Sequence, residues 1–598
     1  MKKFFQFLGK LKKILPLKII YSLFFLYLAL IISALLEMIG IGSIPVFISI
    51  LIDPTNNREF FGINMDVFFQ FFGSEKDVKK LFAIFIISLF SFKILFVFLT
   101  TLFQLRITKS IKLHFSEKLL NSYLFRPYIF FVNKNSAELS RNMLSETGNA
   151  VGFLSSIINI SREFAILAII FALLVFFDPL VSISAFGLLV AFSLIFYLST
   201  NKLIKKSADD RFYSLGSLFK IVNLSFGAIK DLKIYNKEKF FLKKFNEYNE
   251  THEKNILFRE LVVKLPRLIF ELVGVVLVIG VTLFFVYFNK DTVKLLPALA
   301  LIAISTIRLM PSFSSISSSL TYIRSWKKSF DLVEKEILDF NSNFAMFNNN
   351  NFGNLKTENK NNNAIEMKNL SFYYPGTANG ASLTDVSLNI KKGEMIGIIG
   401  KSGAGKSTIA NIILNLLDPN KGEINVFSSH SAKQAIAYIP QDIFLIDDTL
   451  RRNIAFGEND NDIHDSKIIE SLKGAELTDF AKNHSEGLNL IIGERGIKLS
   501  GGERQRLGIA RALYRDPEIL IMDEATSSLD NFTEKQVMNS IKKLKNKHTI
   551  VMIAHRLTTI ESCDRIYLIE SGKIKDSGTL PVLLKKYPYL DNYNKEKK

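Results

Sequence analysis

The stretch EMIGIIGKSGAGKSTIANIILNLL, Glu394–Leu417, decides the fold of the C-terminal half of this 598-residue chain. It begins with a short β-prone run, continues through the glycine-rich segment GKSGAGKS, and ends in an apolar pattern with helical spacing. A G-x-x-x-x-G-K-[ST] segment between a strand and a helix is typical of a loop whose backbone N–H groups wrap phosphates. We therefore predict that Gly400–Ser407 binds a nucleoside triphosphate, with Lys406 on the β- and γ-phosphates and Ser407 on Mg²⁺.

Two later segments extend this pattern. The run ILIMDE, Ile519–Glu524, is an apolar strand that ends in two carboxylates. Asp523 is placed to hold the Mg²⁺ shell, and Glu524 is placed to polarise the attacking water. The run LSGGERQR, Leu499–Arg506, follows about 95 residues after the phosphate loop. From Ile365 onward, short β-rich runs alternate with helical patterns, which predicts an α/β domain with a largely parallel sheet.

In this order the three segments resemble those of the ATP-binding cassette (ABC) transporters, with Glu503 where glutamine is commoner in the LSGGQ-like signature. The resemblance implies a catalytic set of Glu524, Gln441 in YIPQD and His555 in IAHR, with Mg²⁺ held by Ser407, Gln441 and Asp523. It also implies that ATP is bound by Tyr374, Gly400, Lys401, Ser402, Gly403, Ala404, Gly405, Lys406, Ser407, Thr408, Ser500, Gly501, Gly502, Glu503 and Asp530. Tyr374 would stack on adenine, and Ser528 and Asp530 match the family's D-loop.

The same resemblance implies that the protein is a homodimer. In the family, the signature residue matched by Ser500 points at the γ-phosphate held by the other subunit, so one chain alone cannot form a complete site. Since the catalytic positions all match, with Glu524 present, two equivalent sites are expected. The segment GERG, Gly493–Gly496, resembles the exporter-type X-loop, and the stretch LFRPYIFFVNKNSAELSRNMLSE resembles the region around the first coupling helix of exporters.

The N-terminal half predicts a membrane domain. Hydrophobic residues make up 48% of the chain and include 54 Phe, which soluble domains do not readily accommodate. The apolar run Ile19–Leu36 is long enough to cross a bilayer, and five further apolar segments follow near Leu81–Leu105, Phe164–Phe177, Leu180–Leu198, Leu268–Phe288 and Leu295–Pro311. We therefore predict an α-helical transmembrane domain of six spans over residues 1–335, an Asn-rich linker over 336–364, and an α/β nucleotide-binding domain over 365–598.

The net charge of +19 has two interpretations. Lys and Arg accumulate in cytoplasmic loops of membrane proteins, where they also meet anionic headgroups. A soluble ABC-type ATPase acting on DNA would also be basic, but the six apolar segments argue against nucleic acid as a partner. The single cysteine, Cys563, permits no intramolecular disulfide. We expect the chain in a bacterial cytoplasmic membrane, with both termini and the nucleotide-binding domain in the cytoplasm.

Within exporters, residues 261–279 and 303–323 resemble the fifth and sixth spans of bacterial flippases of lipid-linked oligosaccharides. This resemblance implies a lipid-linked pyrophosphate oligosaccharide as cargo; the alternative is another lipid, a lipopolysaccharide precursor, a drug or a peptide. Lys93 and Arg308 lie within predicted spans, where ionisable residues are costly and are candidates for function. Either could receive a pyrophosphate. The alternative is that Lys93 pairs with Glu37 or Glu271 and that Arg308 lies near the inner membrane face.

Overall fold

The computed structural model describes residues 2–52, 59–60, 63–64, 75–177, 179–287, 292–349, 355–356, 362–375, 382–428, 435–526, 529–554 and 556–590. The chain divides into two units. The first comprises Met1–Arg126 and Asn133–Phe344, and the second comprises Pro127–Val132 and Ala345–Lys598.

Long helices build the first unit. Its helices are Lys2–Ile14 (α1), Leu17–Ile52 (α2), Glu75–Leu124 (α3), Ser136–Arg141 (α5), Thr147–Phe177 (α6), Pro179–Gly227 (α7), Ile229–Tyr235 (α8), Glu238–Tyr287 (α9) and Thr292–Asn349 (α10). The short helix Tyr128–Val132 (α4) falls in the second unit. A π-helical turn, Asn142–Glu146, joins α5 to α6, and a two-residue antiparallel pair is formed by Glu59–Phe60 (β1) and Ile63–Asn64 (β2).

Four helical stretches among the described residues are long and apolar enough to cross a membrane. They are Leu17–Ile44, Lys79–Leu124, Ser136–Phe176 and Phe186–Gly227. Large apolar side chains such as Phe24, Ile87 and Leu272 are more than half exposed on α2, α3 and α9, an arrangement suited to a hydrocarbon environment. The predicted fifth and sixth spans lie on α9 and α10, partly outside the residues whose side chains are described. A total of six spans therefore stays a prediction.

The helical unit buries its apolar stripes in two main clusters. One joins α1, α2, α3, α6 and α10 through residues such as Leu26, Phe115 and Phe330. The other joins α2, α6, α7, α9 and α10 through residues such as Ile170 and Phe313. On α10, buried Phe330, Val333, Ile337 and Phe340 follow at helical spacing.

The boundary of the predicted linker differs from the structure at its N-terminal side. We expected an Asn-rich linker from residue 336, yet α10 extends to Asn349, so residues 336–349 are helical. The physical reason is that Ile337 and Phe340 continue the buried stripe of the helix, and residues after them extend it without a helix breaker. Low sequence complexity marked the segment but did not exclude a helix.

The second unit contains two sheets. Its strands are Leu355–Lys356 (β3), Asn363–Phe372 (β4), Leu383–Lys391 (β5), Met395–Gly400 (β6), Lys421–Phe427 (β7), Ile436–Ile439 (β8), Ile519–Asp523 (β9), Thr549–Ile553 (β10), Arg565–Glu570 (β11) and Lys573–Gly578 (β12). One sheet has the order β12-β11-β6-β10-β9-β8 and is parallel except for the β11–β12 hairpin. The other has the order β3-β7-β4-β5, with β4 antiparallel to both neighbours.

Helices cover the parallel sheet and form a second lobe. They are Lys406–Ile413 (α11), Leu450–Ile454 (α12), Asp465–Gly474 (α13), Thr478–Asn483 (α14), Gly501–Tyr514 (α15), Asn531–Leu544 (α16), Leu557–Ile560 (α17) and Leu580–Lys586 (α18). Short 3₁₀ turns are found at Asp460–Asp462, Gly487–Asn489 and Glu494–Gly496. One core lies between the two sheets and α11, and includes Ile129 of α4 at its edge. A helical domain followed by a P-loop α/β domain is the predicted fold class, and it is confirmed.

Candidate nucleotide-binding site

The phosphate loop follows the central strand β6, whose six residues are all buried between β10 and β11. The Lys406 side chain folds back over the loop, and its Nζ donates to the carbonyl oxygens of Gly400 at 2.8 Å and Lys401 at 3.1 Å. Lys406 is only 6% exposed. Burial lowers the pKa of Lys406, and the carboxylates of Glu524 and Asp523 oppose that shift. A buried cation thus lies in a loop that begins a helix, an arrangement that favours anions.

Two glycines of the loop have no room for a side chain. A Cβ on Gly400 would lie 2.2 Å from the carbonyl oxygen of Ile569. Gly405 has φ +102°, and a Cβ there would lie 2.9 Å from the carbonyl oxygen of Ser382. Because both neighbours are backbone atoms, larger residues would displace the loop itself.

The turn between β11 and β12 braces the back of the loop, and the sequence did not reveal it. The N–H of Gly572 donates to the carbonyl oxygen of Ala404 at 3.2 Å, while the carbonyl of Gly572 accepts from the N–H of Thr384 at 2.9 Å. Gly572 has φ +75°, and a Cβ there would lie 2.8 Å from the carbonyl oxygen of Ser382. The turn therefore fixes the phosphate loop against the start of β5. Pairing of β11 with β6, which a single sequence does not show, brings it there.

Asp523 ends the buried strand β9 and is 8% exposed. Burial raises its pKa, a hydrogen bond from Ser407 lowers it, and the nearby Glu524 raises it. The hydroxyl of Tyr438 lies 3.4 Å from Asp523 Oδ2, and this hydrogen bond further favours the carboxylate. The predicted Mg²⁺ ligands Ser407 and Asp523 are thus brought together. Tyr438 was missed, since its position depends on the parallel pairing of β8 with β9.

Glu524 follows the strand in a left-handed conformation, with φ 50°. Such backbone is unfavourable for a residue with a side chain and is often found at functional sites. Its N–H donates to the carbonyl oxygen of Ile553 at 2.9 Å, which anchors the turn to β10. Its Oε2 accepts a hydrogen bond from Gln441 Nε2 at 2.7 Å. Two of the three predicted catalytic residues are therefore in direct contact.

The remaining predicted residues include two that the structure does not describe and one beside the core between the two sheets. His555 and Ser528 lie outside the described residues. Tyr374 is half-buried and makes an edge contact with Phe372, with ring centroids 4.9 Å apart, beside the core between the two sheets. Gln441, by contrast, is exposed, so its position at Glu524 depends on their hydrogen bond.

The signature segment forms a helix start with a complete capping box. Ser500 Oγ accepts from the N–H of Glu503 at 3.2 Å, and Glu503 Oε2 accepts from the N–H of Ser500 at 2.7 Å. Glu503, the departure from the commoner glutamine, thereby satisfies the N–H group of the N-cap residue Ser500. Asp530 is the N-cap of α16 and accepts from the N–H groups of Phe532 and Thr533. These bonds, led by the one from Thr533, lower the pKa of Asp530.

The side chains of Lys406, Ser407 and Asp523 fit a nucleotide that carries Mg²⁺. Among the described residues, no group of three or more His, Cys, Asp or Glu side chains is arranged to hold a metal ion. Mg²⁺ at phosphoryl-transfer sites takes only one or two protein oxygens and completes its shell with water and phosphate. The hydrogen-bonded pair Ser407 and Asp523 supplies such oxygens, and the buried Lys406 supplies charge for phosphate.

The two predicted substrate residues of the helical unit meet at one carboxylate. Arg308 Nε is 2.7 Å from Glu37 Oε1, and Lys93 Nζ is 3.2 Å from Glu37 Oε2. The alternative pairing of Lys93 with Glu37 is therefore present, whereas Glu271 is exposed. That Arg308 shares the same carboxylate was not expected from the sequence.

Two family models match the chain. The model described as ABC transporter matches residues 383–527, and the model described as ABC transporter transmembrane region matches residues 39–312. The chain belongs to the ABC transporters, and its domain order is that of an exporter-type half-transporter. The resemblance seen in the sequence is thus confirmed at the level of this family.

Similar proteins are found among bacterial exporters. The ATP-dependent lipid A-core flippase of Ralstonia nicotianae is 40% identical over 228 residues, which are 37% of this chain and 38% of that protein. A putative export ATP-binding/permease protein of Rickettsia bellii is 29% identical over 427 residues, 69% of this chain and 71% of that protein. The chain thus matches 38% of the length of this curated lipid A-core flippase.

One solved structure shares the fold over nearly the whole chain. It is a bacterial Atm1-family ABC exporter with ATP bound, with a TM-score of 0.76 and 21% identity, and the match covers 96% of this chain and 98% of that one. At this level of identity the likeness concerns the fold.

Proposed function

We propose that this protein is an ATP-driven exporter that flips a lipid-linked pyrophosphate oligosaccharide across a bacterial cytoplasmic membrane. The observation that carries the choice of cargo is the surplus positive charge where Lys93 and Arg308 share Glu37. Excess charge among membrane helices is costly unless it serves an ion or ligand. A pyrophosphate group offers the oxygens that an arginine and a lysine bind best.

ATP hydrolysis supplies the free energy for transport. Lys406 and the N–H groups of Gly400–Ser407 hold the phosphates, and Ser407 and Asp523 hold Mg²⁺, which neutralises phosphate charge when bound. Glu524 accepts the proton of the attacking water, while Gln441 orients Glu524 through their hydrogen bond. His555 is assigned to the γ-phosphate by the family pattern alone.

The active form is a homodimer, with two sites each shared between chains. The signature segment supports this role, because α15 begins directly after Ser500 and a helix N-terminus is a place where anions bind. The nucleotide-binding domain and both termini lie in the cytoplasm. Helix α4 lies in the segment that resembles the first coupling helix of exporters, and it belongs to the second unit, where its Ile129 packs against the core. This packing supports a role for the segment in coupling nucleotide-driven closure to transport.

A second cargo is favoured by the relatives. Those of Ralstonia nicotianae and Paraburkholderia xenovorans are named lipid A-core flippases. Lipid A also carries phosphate, so the same cationic pair could receive it. The two cargos share headgroup charge and differ in their lipid and sugars.

The test is flipping in proteoliposomes. Purified protein is reconstituted with a lipid-pyrophosphate oligosaccharide, and ATP-dependent loss of the sugar from one leaflet is measured. Lipid A, a hydrophobic dye and a peptide serve as competitors. We expect flipping by the wild type, none by Glu524→Gln, and unchanged ATP binding in that variant, since the change removes only the proton acceptor.

Three results would argue against parts of this proposal. Rapid ATP hydrolysis by Glu524→Gln contradicts its role as general base. Hydrolysis without flipping of the glycolipid contradicts the cargo. Competition by lipid A alone would assign the second cargo instead.

A further inference from the structure

Glu37 is shared between two cations that come from two other helices. It lies on α2, whereas Lys93 lies on α3 and Arg308 on α10. Each carboxylate oxygen serves one cation, at 3.2 Å for Lys93 and 2.7 Å for Arg308. The Glu37 side chain is 10% exposed, and those of Lys93 and Arg308 are 14% and 31% exposed. Two oxygens of a phosphate group can bind a lysine and an arginine in the same way as the two oxygens of this carboxylate do.

The cluster is not neutral. Among the side chains that the structure describes, two positive charges face one negative charge here, which leaves one positive charge in excess within the predicted spans. The Lys93 ammonium also lies 4.7 Å from the centre of the Phe90 ring, and a Cβ built on Gly40 would lie 3.7 Å from its Nζ, so α2 approaches the ammonium closely at this glycine. Arg308, the most exposed of the three, keeps guanidinium donors beyond the Nε bond to Glu37. The site thus has donors and charge to offer to a further anion.

A second buried carboxylate in the same unit provides the contrast. Glu163 on α6 is paired with one cation, Arg162, at 2.9 Å, and accepts from the hydroxyl of Ser312 at 2.8 Å. Its charge is therefore balanced one to one. Ser312, which contacts Glu163, lies one helical turn beyond Arg308, which contacts Glu37. The carboxylates of Glu37 and Glu163 therefore lie beside neighbouring turns of α10, but Glu37 is paired with two cations and Glu163 with one.

We propose that Glu37 is an internal counter-ion that occupies the anion site between transport cycles, and that a phosphate group of the cargo displaces it from Lys93 and Arg308. This inference rests on the proposed cargo class. Glu37 then lowers the affinity for cargo, because the site is available only in the fraction of molecules in which the carboxylate has moved away. It also speeds release, because its return re-pairs both cations. Neutral lipids cannot displace it, so Glu37 contributes to specificity.

The experiment compares Glu37→Gln with the wild type in nanodiscs. The probes are a polyprenyl pyrophosphate, the corresponding neutral polyprenol and inorganic pyrophosphate, and binding is measured from the ligand-dependent rise in melting temperature. We expect Glu37→Gln to bind polyprenyl pyrophosphate about tenfold or more tightly, the change expected if the free site is about one tenth populated in the wild type. Binding of polyprenol should not change. Glu163→Gln, the matched control, should bind like the wild type.

Destabilisation does not obscure the result. Glu37→Gln leaves two cations close together, so the melting temperature without ligand should fall and should recover with polyprenyl pyrophosphate more than in the wild type. Glu37→Asp keeps the charge but shortens its reach, and we expect it to bind with intermediate affinity. Suppose that Lys93→Gln and Arg308→Gln each lose binding of polyprenyl pyrophosphate, but Glu37→Gln binds it no more tightly than the wild type does. The counter-ion role of Glu37 is then wrong, while the cargo class stands.

Two other outcomes bear on the cargo. If neither the wild type nor any of the five variants binds polyprenyl pyrophosphate, and none binds inorganic pyrophosphate beyond the common contribution of the ATP site, both the cargo class and the counter-ion are wrong. If inorganic pyrophosphate shows the same gain in Glu37→Gln as the lipid, the counter-ion is supported and the ligand is a free pyrophosphate rather than a lipid headgroup. The contribution of the ATP site to pyrophosphate binding is common to all proteins compared and cancels in their differences.

Discussion

At the scale of single residues, the buried thiol of Cys563 makes a chemical prediction. Burial raises its pKa to about 12. An acid whose pKa is raised stays protonated over a wider pH range, and only the thiolate reacts. We expect native protein at pH 8 to react with N-ethylmaleimide at least about 100-fold more slowly than unfolded protein, with a rate that keeps rising with pH beyond 9.

Mass spectrometry of the intact chain measures this rate, and Cys563 is the sole cysteine, so one adduct has one origin. The Cys563→Ser variant is the blank. Fast, complete labelling of the folded protein at pH 8 would contradict the burial of this thiol.

Residues within a continuous motif were predictable, and residues brought in by pairing were not. Lys406 and Asp523 were identified because a strand, a loop and a helix start place their functional atoms locally. The contact of Tyr438 with Asp523 and that of Arg308 with Glu37 were not predicted, since they join strands or helices far apart in the chain. The pairing of Lys93 with Glu37 was considered only as one of two alternatives. A single sequence carries the chemistry of each residue but not the register that joins them.

At the scale of elements, the β11–β12 turn is expected to control nucleotide affinity. In Gly572→Ala, the new Cβ would lie 2.8 Å from the carbonyl oxygen of Ser382, and φ +75° is unfavourable for alanine. Because the turn bonds to Ala404 of the phosphate loop, relief of this clash should move the loop. We expect ATP binding, measured by titration with a fluorescent analogue, to weaken about tenfold, equivalent to about 1.4 kcal/mol.

Gly487→Ala is the matched control for this variant. Gly487 also has positive φ, at +52°, but a Cβ there meets no atom within 4 Å. Both variants pay the backbone cost of about 1–2 kcal/mol in stability. Only Gly572→Ala should lose ATP affinity. Equal affinities in the two variants would show that the turn has no role in positioning the loop.

Helix existence was easier to predict than helix limits. The apolar runs identified long helices, yet the extension of α10 to Asn349 and the π-helical turn Asn142–Glu146 were not foreseen. In the π turn, Asn142 donates to the hydroxyl of Tyr123 at 3.1 Å, and Glu146 accepts from Ser329. These are tertiary contacts to α3 and α10, which hold a geometry that local propensity does not favour.

At the scale of the whole molecule, the proposed dimer predicts complementation between two inactive chains. Lys406→Ala removes the phosphate-loop charge, and Ser500→Arg blocks the signature helix start. If each ATP site combines the phosphate loop of one chain with the signature of the other, a mixed dimer has one site with both defects and one intact site. If each site lies within one chain, the mixed dimer has no intact site.

The mixed dimer can be isolated by two different affinity tags, one on each variant, and its ATPase activity compared with that of each homodimer. We expect the homodimers to be inactive and the mixed dimer to regain up to about half of the wild-type rate, since it has one of two sites. Because Ser500→Arg also removes a helix cap worth about 1 kcal/mol, melting temperatures are measured alongside. A folded mixed dimer with no more activity than the homodimers would contradict sharing of sites between chains.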